Sequence, residues 1–123
     1  MQNLARKNIS RIGLQNRVTF YARDIGDGFQ LTDHSAIFLD LPNPYDYLDK
    51  VKEALTPGGF FGTLLPTVNQ VSKTLISLRR FHFVFIDVCE ILIRFYQAEP
   101  TKLRPTDRMV AHTGYLVFAR SVL

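Results

Sequence analysis

Tryptophan is absent from the 123 residues, and cysteine occurs once, at Cys89. A single thiol excludes an internal disulfide and any metal site built on cysteines. Cys89 lies between the apolar stretches 83–86 and 91–93, so it reads as a buried thiol in a chain suited to a reducing setting. The three histidines, His34, His82 and His112, lie far apart, and no ligand cluster marks a metal centre. No stretch reaches the roughly 18 apolar residues of a membrane-crossing helix. Arg6 and Lys7 have no apolar run behind them, so no secretory signal is expected. Together these absences point to a cytoplasmic protein, or a nuclear one in a eukaryote, with no membrane partner.

What is present describes one globular domain. Apolar residues make up 46% of the chain, and ten Phe and five Tyr supply bulky core material. The formal net charge of +4 is mildly basic, compatible with a polyanionic partner and equally with solvated faces. The cations cluster at Arg6, Lys7 and Arg11, at Lys73, Arg79 and Arg80, and at Lys102, Arg104 and Arg108.

Periodicity predicts a helix over 2–12 stopped by Gly13, then a strand over 18–22 ending at Asp24. Gly26-Asp27-Gly28 is a turn. A short buried strand over 36–39 ends at Asp40. Pro42 and Pro44 break the chain before a helix over 45–55, which Pro57-Gly58-Gly59 terminates. A strand over 60–65 follows, then a helix over 67–78 with Thr67 as N-cap and Val71, Leu75 and Leu78 inward. Strands over 81–88 and 113–120 flank a polar loop over 96–111. Short buried strands alternating with helices predict a mostly parallel α/β sheet, with the last two strands as an antiparallel edge pair. Ligands of such sheets bind beyond the C-terminal strand ends. Here two of those ends carry carboxylates, Asp24 and Asp40.

Leu55-Thr56-Pro57-Gly58-Gly59-Phe60-Phe61 resembles the helix-to-strand junction of class I methyltransferases. Asp40-Leu41-Pro42-Asn43-Pro44 resembles the acidic motif of the tRNA (adenine-N1)-methyltransferases. So do Leu65-Pro66-Thr67-Val68-Asn69-Gln70-Val71, Glu90 with Arg94, Arg104-Pro105, His112-Thr113-Gly114 and Ala5-Arg6-Lys7-Asn8, in order over essentially the whole chain. The resemblance implies a Rossmann-like class I methyltransferase sheet. It makes 1–123 the C-terminal part of a catalytic domain, lacking the N-terminal strands and the β domain. The family's glycine-rich loop has no counterpart here, because Gly26 and Gly28 follow a different strand and read as a simple turn. In that family's sheet the first two strands lie between the third and the fourth. If the chain is complete, the strand over 18–22 has therefore lost its neighbours. The chain would then be unstable alone, pair with another chain, or close its sheet differently, and a truncated form of this kind is expected to be inactive alone.

By the same resemblance the cofactor is S-adenosylmethionine and the substrate is N1 of adenosine 58 in the T-loop of tRNA. The family assembles as homotetramers or as paired catalytic and non-catalytic subunits. Adenine N1 is a weak nucleophile that must be exposed by base flipping and held in line with the methyl group. Asp40 is the expected catalytic residue: it accepts from the exocyclic amine, stabilises the charge formed on transfer, and borders the cofactor. Leu41 between Asp40 and Pro42 sets this motif apart from the Pro-Pro-aromatic element of the amino-methyltransferases. Asp24 and the Ile25 backbone are expected to read the cofactor's adenine. Pro42, Gln70, Arg94, Arg104, His112 and Thr113 are the substrate-side candidates, the two arginines as phosphate ligands. Three of them have a plainer alternative: an ion pair with Glu90 for Arg94, a buried hydrogen-bonded ring for His112, a solvated helix position for Gln70. An RNA-binding or assembly module descended from the family, or a class I methyltransferase of other specificity, are the competing functions.

Overall fold

Val71, Leu75 and Leu78 recur at helical spacing behind a threonine, and in the computed structural model, which describes residues 2–106 and 114–122, they lie on one long helix. The elements are α1 (Gln2–Arg11), β1 (His34–Leu39), α2 (Leu48–Ala54), β2 (Leu55–Leu65), α3 (Val68–Arg80), β3 (Phe83–Cys89) and β4 (Tyr115–Ser121). Thr67 caps α3: its hydroxyl accepts from the Gln70 N–H at 3.3 Å. The four strands form one sheet in the order β1-β2-β4-β3. β1 and β2 are parallel, joined through α2, and β4 runs antiparallel to both β2 and β3. The antiparallel closing pair therefore forms as expected, with β3 as the edge.

Side chains alternate across a strand, and the alternation here separates two unlike faces. Ile37 and Leu39, Phe61 and Leu65, and Val117 and Ala119 point to one face. There they form the core with Leu48, Val51 and Ala54 of α2 and Val71 and Leu78 of α3. The other face carries Phe38, Phe60 and Phe118 in a row, with ring centroids 5.5 and 5.4 Å apart. Phe38 remains 68% exposed there, so among the described residues this face has no covering layer. Among the described residues no helix is long and apolar enough to cross a membrane. Lys52 links the end of the sheet to α2: its ammonium donates to the Val122 and His82 carbonyls and lies over the Phe83 ring. Burial holds that ammonium below the usual lysine range.

Four expectations are corrected. Residues 18–22 are not a strand. A strand needs a neighbour for its backbone groups, and no described segment supplies one. The segment lies against α1 instead, where Gln2 Nε2 donates to the Tyr21 carbonyl at 3.1 Å and the Arg6 guanidinium stands 4.7 Å from the Phe20 ring centroid. The sheet is therefore continuous and smaller, without a gap in its middle. Cys89 is exposed and not buried. It ends the edge strand beyond a bulge at Phe85 (φ 50°), where the register with β4 shifts between Val84 and Asp87.

The helix expected over 45–55 starts only at Leu48, because Pro44–Asp46 form a 3-10 turn, and it stops at Ala54. Pro57-Gly58-Gly59 accordingly lies within β2, not at the helix end. There it takes up a bulge: His34 pairs with Leu55, but Ala36 pairs with Phe60. Gly58 has φ +82°, and a Cβ on Gly59 would stand 2.8 Å from the Thr56 carbonyl oxygen, so only glycine fits both positions.

Candidate functional site

β1 delivers Asp40 to the C-terminal end of the sheet, and three tethers fix the loop that follows. The buried Thr63 hydroxyl donates to the Leu39 carbonyl at 2.7 Å, holding the strand end against β2. The Gln70 side-chain amide donates to the Pro42 carbonyl at 2.9 Å, while its oxygen accepts from the Thr67 hydroxyl at 2.7 Å. Ser77 donates to the Tyr45 carbonyl at 3.0 Å. Pro44 is fully buried beneath this arrangement, whereas Pro42 and the Asp40 carboxylate face solvent. The motif thus divides its labour: Pro44 anchors, Asn43 ties the turn through Asp46 (3.0 Å), and Asp40 is presented on a stiffened support.

Gln70 is the hinge pin of this support, because one amide joins the first turn of α3 to the loop after β1. Its two hydrogen bonds replace the solvated helix position as the account of this residue. Gln70→Ala is expected to lower the unfolding free energy by about 1 kcal/mol, measured by urea titration. An unchanged midpoint and slope would show that the loop is held without it.

Beside Asp40 lies a cleft of about 380 Å³ on the uncovered face, lined by Phe38, Leu39, Asp40, Gly62, Thr63, Leu64, Leu116 and Phe118. Gly62 forms its floor, and a Cβ there would stand 2.8 Å from the Phe38 ring. A mostly apolar cleft with one carboxylate at its rim suits an aromatic heterocycle that offers a hydrogen-bond donor at its edge. Thr63 and Gly62 were not anticipated from sequence. The alternation Phe61, Thr63, Leu65 does mark Thr63 as an inward polar residue in need of a partner.

Asp24 caps the 3-10 turn Ile25–Asp27, and its Oδ1 accepts from the Gly26 N–H at 2.7 Å. Ile25 is half-buried and packs against the core. It also lines a second cleft of about 210 Å³ with Tyr21, Arg23, Gly28, Phe29 and Gln30. Asp24 and Asp40 therefore stand by different clefts. A carboxylate with one oxygen fixed by the backbone, next to a mostly apolar cleft, fits the adenine end of a nucleoside cofactor. Nothing comparable among the described residues fits the amino-acid end.

Arg94 and Arg104 lie on an exposed arm beyond β3. Its two limbs pair through the Gln97 N–H and the Arg104 carbonyl (2.8 Å) and through the Thr106 N–H and the Phe95 carbonyl (3.0 Å). The structure thus joins Pro42 and Gln70 to the Asp40 loop and puts the two arginines on a separate element. His112 and Thr113 lie outside the described residues.

Comparison with known proteins finds methyltransferases. The family model described as the tRNA methyltransferase complex GCD14 subunit matches residues 1–107. A Methanocaldococcus jannaschii protein named tRNA (adenine(57)-N(1)/adenine(58)-N(1))-methyltransferase TrmI is 36% identical over 98 residues, which is 79% of this chain and 35% of that protein. A Thermotoga maritima structure described as a SAM-dependent O-methyltransferase superposes with a TM-score of 0.90 at 50% identity, covering 98% of this chain and 46% of that one. The tRNA (m1A58) methyltransferase TrmI from Aquifex aeolicus superposes with a TM-score of 0.85 at 40% identity, covering 98% and 49%. The chain thus spans about a third of the length of the first relative and about half of the two solved ones.

Proposed function

Because the chain belongs to the family of the GCD14 subunit of the tRNA methyltransferase complex, with the α/β fold of class I methyltransferases, we propose that it serves methyl transfer to N1 of an adenosine in tRNA, at position 58 of the T-loop. The observation that carries this reading is the tethered Asp40 loop beside a mostly apolar cleft. S-adenosylmethionine is the cofactor of this family and supplies the methyl group when bound.

Asp40 accepts a hydrogen bond from the exocyclic amine of the target adenine. That contact orients the ring, raises electron density at N1 and offsets the positive charge left on the base after transfer. Thr63 and Gln70 act through position, keeping Asp40 and Pro42 fixed so that little reorganisation accompanies the reaction. Pro42 borders the base. Asp24, through the carboxylate oxygen not engaged by Gly26, accepts from the amine of the cofactor's adenine, and the Ile25 backbone reads the ring edge. Arg94 and Arg104 take RNA phosphates, with His112 and Thr113 on the substrate side.

The glycine-rich segment that closes around the rest of the cofactor has no counterpart in these 123 residues. Activity therefore requires that segment, in the same polypeptide or another. The uncovered sheet face and the exposed arm favour an assembled state, as a homo-oligomer or a paired subunit.

A second reading has one observation behind it, the description of the Thermotoga relative as an O-methyltransferase. Nucleoside analysis of tRNA treated with the chain in its catalytic assembly separates the two. 1-Methyladenosine is the expected product, whereas a ribose methyl ether would establish oxygen as the acceptor. Cofactor recognition has its own test. Asp24→Ala is expected to weaken S-adenosylmethionine binding at least about tenfold in calorimetric titration, the loss of one charge-assisted hydrogen bond. Unchanged affinity would remove Asp24 from the site.

A further inference from the structure

We propose that α1 and the segment behind it, up to Arg23, form an RNA-docking surface separate from the Asp40 cleft, taking the phosphate backbone of the tRNA. The inference rests on tRNA being the substrate and adds to that reading a surface made of other residues than Arg94 and Arg104.

The charge distribution carries it. Residues 1–23 contain Arg6, Lys7, Arg11, Arg17 and Arg23 and no acid, while residues 24–123 carry ten cations against eleven acids. The whole positive excess of the chain therefore sits in its first 23 residues. A solvated helix face ordinarily mixes both signs. α1 has no acid anywhere and no buried residue.

Helical spacing sets Arg6, Lys7, Ser10 and Arg11 side by side, and together they line an open groove of about 540 Å³. Arg6 stacks on Phe20 and Arg23 donates to the Asp27 carbonyl at 3.0 Å, so the patch is tied to the turn that Asp24 caps. The other acid-free helix, α3, is different. Lys73 stands over Tyr45, Arg80 over Phe81, and Arg79 and Arg80 close the C-terminal turn, where cations favour the helix dipole. Lys73 and Arg80 of α3 face aromatic rings, whereas Lys7 and Arg17 meet no ring or carboxylate among the described residues, and Arg11, like Arg79, stands in the last turn of its helix.

Phosphate neutralisation leaves a measurable signature, because each neutralised phosphate steepens the salt dependence of binding by about 0.9 on a log–log plot for a duplex and about 0.7 for a single strand. The test is filter binding of a tRNA transcript to the chain at several salt concentrations. The parent is compared with the triple variant Lys7→Gln, Arg11→Gln, Arg17→Gln. The control is Lys73→Gln, Arg79→Gln, Arg80→Gln, which removes the same charge. Arg6 is left in place because it packs on Phe20.

The α1 variant is expected to bind about tenfold more weakly at low salt, with a slope lower by about 2–3, and the control to change less than about threefold. Each single substitution should account for about a third of the slope change, which keeps the comparison readable if the triple variant folds poorly by circular dichroism. Equal losses in both triples would reduce the effect to net charge and overturn the proposal, as would parent-like binding by the α1 variant. A parent with no detectable affinity for the transcript at low salt overturns it too. The methyltransferase reading fails separately, if RNA binds through α1 but no methylated nucleoside forms in the complete assembly.

Discussion

Replacing Asp40 by alanine in an assembly competent for methyl transfer is expected to raise the barrier by about 2–4 kcal/mol, slowing transfer roughly thirty- to thousand-fold. The loss should fall on kcat at saturating tRNA and leave the affinity for RNA nearly unchanged, since the Asp40 carboxylate is a single exposed group at a strand end and its contact with the base strengthens as N1 becomes positive. Single-turnover incorporation of labelled methyl into tRNA measures it. Asp40→Asn separates charge from geometry: the amide keeps an acceptor without the negative charge, so it should recover only part of the rate. An Asp40→Ala assembly that turns over at the parent rate would remove the residue from the chemistry and return the loop to a structural role.

Phe61→Ala should be the most damaging substitution in the core. Phe61 is fully buried in the middle of β2, paired with Ile37 on one side and Ala119 on the other, and its ring meets that of Phe83 at 6.0 Å. Truncation removes the ring's transfer free energy and leaves a cavity between sheet and helices, at a cost of about 3–5 kcal/mol. For a chain of this size that corresponds to a fall in Tm of roughly 10–25 °C, measured by thermal circular dichroism. Phe38→Ala makes the same chemical change on the uncovered face, where the ring is 68% exposed, and should cost less than about 1 kcal/mol in the isolated chain. Equal effects of the two would mean that the open face is covered in solution.

The sequence was most legible where a local signal had a local cause. Thr67 and the stripe Val71, Leu75, Leu78 gave α3 and its cap, because both depend on neighbours within a turn. The strand over 36–39 and its carboxylate end at Asp40 were recoverable from a short apolar run closed by polar residues. The stretch at 18–22 is also β-branched and aromatic but forms no strand, because strand formation depends on a neighbour as well as on propensity. Cys89 looked buried from its apolar neighbours, yet a bulge at Phe85 and an edge position decide its exposure. Pro57-Gly58-Gly59 was recognisable as a breaker. That it absorbs a bulge inside β2, and does not end α2, depends on the register with β1.

The site divides in the same way. Asp24, Asp40 and Pro42 were named from strand ends and motif resemblance; Asp40 does follow a strand, with a cleft beside it, whereas Asp24 caps a 3-10 turn. The clamp of Gln70 on Pro42 crosses 28 residues of sequence, and the bond from Thr63 to Leu39 crosses 24. Neither contact has a periodic signature.

By itself the sequence determined the family, the helix and strand material, and the carboxylates available for chemistry, because these follow from residue type and short-range spacing. Only the tertiary structure decided which strands have partners, which sheet face stays bare, and how the Asp40 loop is immobilised. Those outcomes depend on contacts between residues distant in the chain, and their free energy appears only when the sheet has closed.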